Sequence, residues 1–317
     1  MSTYSLFTYR TCIVLVDCSE RIVAVLGGVP PGSRGSDWRN SMDNLTAAVK
    51  GCSMKSTFTA KEMNHPRGDF TARAAGFSYG GGRERPGNVR ITGEGNKAAM
   101  DELLNHEDMV RLVGFTNSLY NSFNHKTYVE YKETLESHLV HDPHLRPTSS
   151  KTVFAATTIN FGPRTIVPPH IDGGNTGHGW CSDSSLGPYN PDKGGHLVLW
   201  NLGLIIRFPP GATVLFPSAL ITHSTVPIQP DETRYSIVQY SAGGLFRWRN
   251  NGWCSDKVFL QKASKDQLKQ RKVENAQRWS MNLEKFTHWS DLIAGDWQGK
   301  WRAGKSEEGP PEKRSRY

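Results

Sequence analysis

Between Val153 and Gly244 the chain breaks into short apolar runs: VFAATTINF, HLVLWNL, LIIRFP, TVLFP and YSIVQYSA. Glycine, proline and polar residues separate them, so each run ends in a turn signal. Several short strands at this spacing specify a β-sandwich or barrel. The preceding stretch behaves differently. From Asn96 to Leu145, apolar residues fall at Leu103, Leu104, Met109, Leu112, Val113 and Phe115, the spacing of one helical face. Its aromatics between Phe115 and Tyr131 are expected to pack against a sheet, since such stripes form buried faces. Upstream, TCIVLVDCSERIVAVLGG reads as a β-hairpin closed by Gly27-Gly28, and a helix is expected near Met42–Lys50. Helix-like, charged sequence returns from Asp256 to Phe286. The class is therefore α+β.

Three short pieces of the β-rich region carry candidate chemistry: PPHIDGGN with His170 and Asp172, ALITHSTVPI with His223, and RYSIVQY with Arg234 and Ser236. Two imidazoles and one carboxylate on one face of a metal ion leave the opposite positions open, which is the ligand set of a non-haem Fe(II) oxygenase. His-x-Asp at a strand end suits it, because period-2 alternation points both side chains the same way. A lone His-x-Asp is weak among eleven histidines, and His106-Glu107-Asp108 is such a decoy. That one sits in a helix-like segment, where i and i+2 diverge by roughly 200°, so it reads as solvated surface. The competing reading of His170 and His223 is a pair of buried, hydrogen-bonded histidines. An Arg fork, Arg234, separated from His223 by ten residues, matches a carboxylate bidentately.

The segment GNTGHGWCSDSSLGPYNPDKGG, between these pieces, is too polar for a core, and a loop over the site is expected. GFSYGGGRERPGN permits positive φ and close approach to a ligand, but it lacks the strand, GxGxxG and Lys-Ser/Thr features of a nucleotide-phosphate site. It reads as either a surface loop or a substrate-touching one.

With 317 residues, 37% of them apolar, the chain has room for a sizeable core. No apolar run approaches the roughly 18 residues of a membrane helix. The N-terminal apolar run is followed by an acidic residue and no small-residue cleavage site, so it reads as a strand and an intracellular chain is expected. Five scattered cysteines without a Cys-x-x-Cys pair argue against a disulfide framework, and no structural zinc is expected. The net charge of +8 is compatible with a polyanionic partner, although some of the excess lies in the tail from Lys300 to Arg316.

Taken together, SYGGGRERPGN, TINFGPRTIVPPHIDGGN, GWC, PDKGGHLVLWNL, RFPPGATVLFPSALITHS and RYSIVQYSAGGLFRW resemble the TET/JBP family of Fe(II)/2-oxoglutarate nucleobase dioxygenases, in particular its fungal (mushroom) members. The resemblance implies a double-stranded β-helix (jelly-roll) core flanked by helices. It implies a single dioxygenase domain over 1–303: an N-terminal hairpin with a helical region over 1–150, a β-helix core over 151–250 and a C-terminal helical segment over 251–303. A disordered basic tail, 304–317, would follow. The implied activity is hydroxylation of the methyl group of 5-methylcytosine in DNA, with O2 as oxidant and the target base flipped out. N6-methyladenine is the alternative base, and a protein or small-molecule hydroxylase the alternative class.

Residue by residue, the resemblance implies that His170, Asp172 and His223 ligate iron. It gives Arg234 and Ser236 the distal carboxylate of 2-oxoglutarate and His196 the other carboxylate. Read on its own, His196 is equally a strand-end core histidine. Asn175 and Tyr240 would contact and stack on the base, with Asn88 a further contact. One departure matters: where animal relatives carry a base-contacting His, this chain has Ala242. The piece EKRSR in the tail resembles a basic targeting element, a solvated tail being the plainer reading; with a DNA substrate, the nucleus is the expected location.

Overall fold

The computed structural model describes residues 12–30 and 35–294. In chain order, β1 (Ile13–Val16) and β2 (Ile22–Leu26) form the expected hairpin, and α1 (Gly35–Lys55) and α2 (Ala60–Met63) follow. Next come β3 (Thr71–Ser78), β4 (Gly87–Asn88), α3 (Glu94–Leu104), α4 (Glu107–Phe123) and α5 (His125–His141). The β-rich region supplies β5 (Ala156–Gly162), β6 (Cys181–Leu186), β7 (Leu197–Leu199), β8 (Leu204–Ile206), β9 (Thr213–Phe216), β10 (His223–Thr225) and β11 (Tyr235–Tyr240). The described chain closes with α6 (Gly243–Asn250), α7 (Asp256–Lys262), α8 (Lys265–Leu283) and α9 (Trp289–Ala294). The basic tail, 304–317, lies outside the described residues.

Eight strands form one antiparallel sheet in the order β1-β2-β9-β6-β11-β5-β3-β4, and three form a second in the order β10-β7-β8. His170 adds a bridge to His223 at the free edge of β10. From β5 onward the chain alternates between the sheets: β5 in the large one, the His170 segment in the small one, β6 large, β7 and β8 small, β9 large, β10 small, β11 large. That alternation is a double-stranded β-helix, a jelly roll.

Period-2 alternation splits each large-sheet strand between two cores. Ile159, Phe161, Leu215 and Ile237 face the helices, where they join Trp38, Leu112, Tyr120 and Phe154. Val214, Phe216 and Cys181 face the small sheet and meet Leu197, Leu199 and Ile206. The aromatic stripe of α4 and α5 packs as expected: Tyr120 stacks between Phe154 and Trp180, at centroid distances of 5.6 Å to each.

Three expectations need correction. CSDSSL is not a loop; it is β6, paired on both sides by β9 and β11. Two of its hydroxyls are absorbed locally, that of Ser184 with Thr213 and that of Ser185 with Tyr189, while Ser182 Oγ and Asp183 Oδ1 are buried without a partner. The helix expected near Met42–Lys50 begins earlier, because buried Trp38 anchors its first turn by donating from Nε1 to the Gly211 carbonyl. His106 does not lie within a continuous helix; it caps α4 by accepting from the Asp108 amide through Nδ1, and Asp108 is buried rather than solvated.

Phe154 is 0% exposed at the junction of both aromatic pairs with Tyr120 and Tyr131. Phe154→Ala should destabilise the fold by about 3–5 kcal/mol, read as a lowered urea midpoint at unchanged slope.

Candidate active site

The two sheets enclose a cavity of about 970 Å³. Its floor is the inner face of the large sheet, where register places Thr158 and Asn160 of β5 beside Val238 and Ser236 of β11, and Asp183 of β6 beyond Val238. His170, Asp172 and His223 stand at one side, Arg234 and Ser236 deeper on the floor, and Asn175 and Tyr240 toward the opening.

Backbone pairing positions the triad. His170 and His223 exchange both amide-to-carbonyl bonds, at 3.0 and 2.9 Å, and the Asp172 amide donates to the Ser218 carbonyl at 2.9 Å. The two imidazole centroids lie 4.1 Å apart. Each imidazole is also pinned from behind, Nδ1 of His170 at 2.9 Å from the Pro168 carbonyl and Nδ1 of His223 at 2.9 Å from that of Ile221. A carbonyl only accepts, so each Nδ1 carries the proton and each Nε2 turns its lone pair to the Asp172 carboxylate. The Nε2 to carboxylate distances are 3.6 and 3.9 Å.

Donor atoms about 2.0–2.2 Å from a shared ion lie roughly 3 to 4.4 Å apart, and both Nε2-to-carboxylate distances, 3.6 and 3.9 Å, fall inside that range. The set therefore fits a divalent metal, with both nitrogens in the ligating tautomer. Burial lowers the pKa of both histidines, and for His223 the neighbouring His170 adds to it. The imidazoles thus stay neutral, as ligands must.

Arg234 is 2% exposed and lies over the Phe208 ring. Its Nη1 donates to the carbonyl and hydroxyl of Thr165, at 3.1 and 2.8 Å, while buried Nε and Nη2 have no partner. Two parallel free donors in a dry cavity are a carboxylate receptor. Ser236 completes it: Asn160 donates to its Oγ at 2.8 Å, which leaves the hydroxyl proton free to donate in turn. The residues present thus fit a dicarboxylate such as 2-oxoglutarate, anchored at Arg234.

Tyr240 is fixed by the hydrogen bond between its hydroxyl and that of Thr158, at 3.2 Å. Asn175 donates from Nδ2 to Ser218 Oγ at 3.1 Å. Both residues also line a second groove, of about 1420 Å³, that runs past Gly80, Gly174 and Gly244 to α8. Ala242 lines this groove, and its backbone bridges Asn175.

Two predicted site residues are not brought here. Leu197 turns into the cavity, so the preceding His196 turns out, where it feels Arg207 and Asp192. The Asn88 side chain is spent on pinning the 142–146 turn: Nδ2 donates to the His144 carbonyl and Oδ1 accepts from the Arg146 amide, both at 2.8 Å. Sequence reasoning in turn missed Arg67, whose Nη2 donates to Asp172 Oδ1 at 2.7 Å, and Asp183. Arg67 follows α2 with no periodicity to mark it; Asp183 was legible only once CSDSSL is taken as a strand.

No family model and no curated protein matches the chain. Solved structures do. A complex of NgTET1 with 5mC DNA is 13% identical, over 76% of this chain and 80% of that one, at a TM-score of 0.49. A 2OG-Fe(II) oxygenase family oxidoreductase from Burkholderia pseudomallei is 15% identical, over 69% and 85%, at 0.37. A Pseudomonas putida prolyl-4-hydroxylase is 16% identical, over 64% and 88%, at 0.33.

Asp172→Ala removes the only carboxylate of the triad from an exposed edge of the small sheet. The variant should keep its circular dichroism spectrum and lose at least about tenfold in metal affinity, measured by titration with Mn(II); wild-type affinity in the variant would refute the ligand set.

Proposed function

We propose that this chain is an Fe(II)- and 2-oxoglutarate-dependent dioxygenase that hydroxylates a methyl group on a base of DNA, with 5-methylcytosine as the main substrate. The observation that carries the reading is one cavity holding both a His-Asp-His ligand set and, deeper, a buried guanidinium with two unpartnered donors. Iron with 2-oxoglutarate and O2 supplies the oxidising chemistry when bound, and the protein supplies binding and orientation.

In this reading His170, Asp172 and His223 hold the metal on one face. Arg234 and Ser236 receive the distal carboxylate, which sets the direction in which the cosubstrate enters. Arg67 holds one oxygen of Asp172, so the carboxylate keeps a fixed orientation toward the two Nε2 atoms. An in-duplex methyl cannot reach a cavity walled by two sheets, so the base leaves the stack, at a cost of a few kcal/mol. Tyr240, its hydroxyl held by Thr158, offers a rigid stacking face at the cavity mouth that returns about 1–3 kcal/mol. Asn175 spends one donor on Ser218 and keeps its carbonyl oxygen for a base edge. The nucleus is the location that a DNA substrate calls for.

Base choice rests on position 242. A pocket that reads a base edge by hydrogen bonds rejects others because its buried polar groups are left unpaired. Ala242 withholds one such group and leaves room, and the amide of Asn175 serves cytosine or adenine. N6-methyladenine is therefore a secondary substrate in this reading, its hydroxylated N-methyl decomposing to formaldehyde. A protein or small-molecule hydroxylase on the same iron site would lack tight, steeply salt-dependent DNA binding.

The deciding experiment incubates methylated DNA with the protein, Fe(II) and 2-oxoglutarate and follows nucleosides by mass spectrometry. Oxidised 5-methylcytosine is expected, with a smaller loss of N6-methyladenine; no oxidised base of either kind would overturn the reading. Ala242→His should shift the product ratio toward cytosine. Arg234→Lys keeps the charge but loses the planar fork, so the apparent KM for 2-oxoglutarate should rise at least about tenfold, and an unchanged KM would place the carboxylate elsewhere.

A further inference from the structure

The cavity floor carries an acid that the proposed function leaves without a role. Asp183 stands at the centre of β6, opposite Val214 of β9 and Val238 of β11. All three point to the small sheet, and Asp183 lines the cavity between Arg234 and the triad. Its Oδ1 is sealed from solvent and has no hydrogen-bond partner. Arg234 does not take it: Nη1 of that guanidinium is committed to Thr165, and its Nε and Nη2 are themselves unpartnered. A buried carboxylate normally finds a cation or several donors, because an isolated buried charge is costly. An orphaned acid in the field of a guanidinium that has two orphaned donors, both residues lining one cavity, marks the place of a ligand that bridges them.

We propose that Asp183 receives 2-oxoglutarate as a neutral carboxylic acid, donating its proton in a hydrogen bond to a cosubstrate carboxylate, so that cosubstrate binding takes up one proton. This rests on the proposed function for the identity of the ligand. Two carboxylates at hydrogen-bond distance cannot both stay ionised, while a protonated acid offers a carboxylate the donor that His196, turned outward, does not. The groups that face Asp183 are Arg234 just before β11, Asp172 of the triad, Cys181 on its own strand and Tyr189 after β6. Farther out, Glu62, His65, Arg67 and Arg73 line the same cavity. Burial raises the Asp183 pKa to about 6, Arg234 opposing the rise and Asp172 adding to it. The free protein near neutral pH therefore holds Asp183 largely ionised, and the ligand must bring the proton in from solvent.

The sign follows from linkage. A ligand that binds only the protonated form has constant affinity below the pKa and loses about tenfold per pH unit above it. The test is calorimetric titration of 2-oxoglutarate into Fe(II)-loaded protein under argon, without DNA, in pairs of buffers of different ionisation enthalpy between about pH 5.5 and 8.5. Wild type should take up close to one proton per ligand at about pH 7.5 and bind about tenfold more weakly at pH 8 than at pH 7. Asp183→Asn should take up none, bind with little dependence on pH, and hold the ligand more tightly than wild type at about pH 8. Asp183→Ser, also neutral and a donor, should behave alike, which guards against failure of one variant to fold. Proton uptake absent in wild type, or the same pH slope in both variants, overturns the role of Asp183 while leaving the dioxygenase reading intact. No binding of 2-oxoglutarate to wild type at any pH overturns both.

Discussion

The two-way backbone pairing of His170 with His223 is the contact on which the site depends. It lays the His170 segment along the edge of β10, whose other edge pairs with β7. Two ligands far apart in the chain thereby become cross-strand neighbours. Asp172 follows two residues on and is fixed by the Ser218 carbonyl. The ligand set is thus fastened by main-chain hydrogen bonds, and the side chains contribute only the last torsions, themselves restrained by Pro168 and Ile221. Main-chain fastening of this kind is what tight positioning of a reacting centre demands.

The same economy shaped what could be read from the sequence. Short runs and a period of two were enough for a sandwich or barrel and put His170 and Asp172 on one strand face; the jelly roll and the roles of Arg234 and Ser236 were implied only by the resemblance. The reasoning failed where polarity was taken to mean exposure. CSDSSL is polar because Cys181 and Asp183 face a cavity and Ser184 on the other face finds the Thr213 hydroxyl, and neither fact is visible in the string. His196 failed by one residue: on a strand whose inward positions are Leu197 and Leu199, its neighbour must face out. Asn88 sits where no periodicity applies, and its amide went to the nearest orphaned main-chain groups. Arg67 reaches Asp172 across a long stretch of chain, a contact that only the fold defines.

Charge in the cavity is balanced more finely than its ligand set suggests. Arg234 is the permanent cation on the floor, and Asp172 and Asp183 are two acids within its field. A divalent metal held by His170, Asp172 and His223 would change the sum by two units and would favour an anionic cosubstrate held at Arg234. Cosubstrate and metal would then reinforce one another's binding electrostatically in the interior, where such terms are weakly screened.

Outside the cavity the balance runs the other way. The groove that meets the cavity at Asn175 and Tyr240 holds Arg247, Arg271, Lys285 and Arg278; the first two are paired with Asp256 and the third with Glu130, while Arg278 meets the amide oxygen of Asn275 and no carboxylate among the described residues. A polyanion gains little by displacing partnered cations, since it must break one ion pair to make another. Further positive charge lies on α8 away from the groove lining, where exposed Lys265, Lys269 and Lys272 recur at helical spacing, with exposed Trp279 farther along the helix. Stacking on Tyr240 alone does not cover the cost of unpairing and unstacking a base in every context, so under the proposed reading some of the binding energy comes from phosphate contacts along the groove rim. In that reading those contacts fall to Arg278 and the exposed lysines of α8, with side-chain amides such as Asn250 and Gln270 beside them. A rim of that kind positions a backbone without demanding a sequence, which leaves discrimination to the few groups at the cavity mouth: Asn175, Tyr240 and the space left by Ala242.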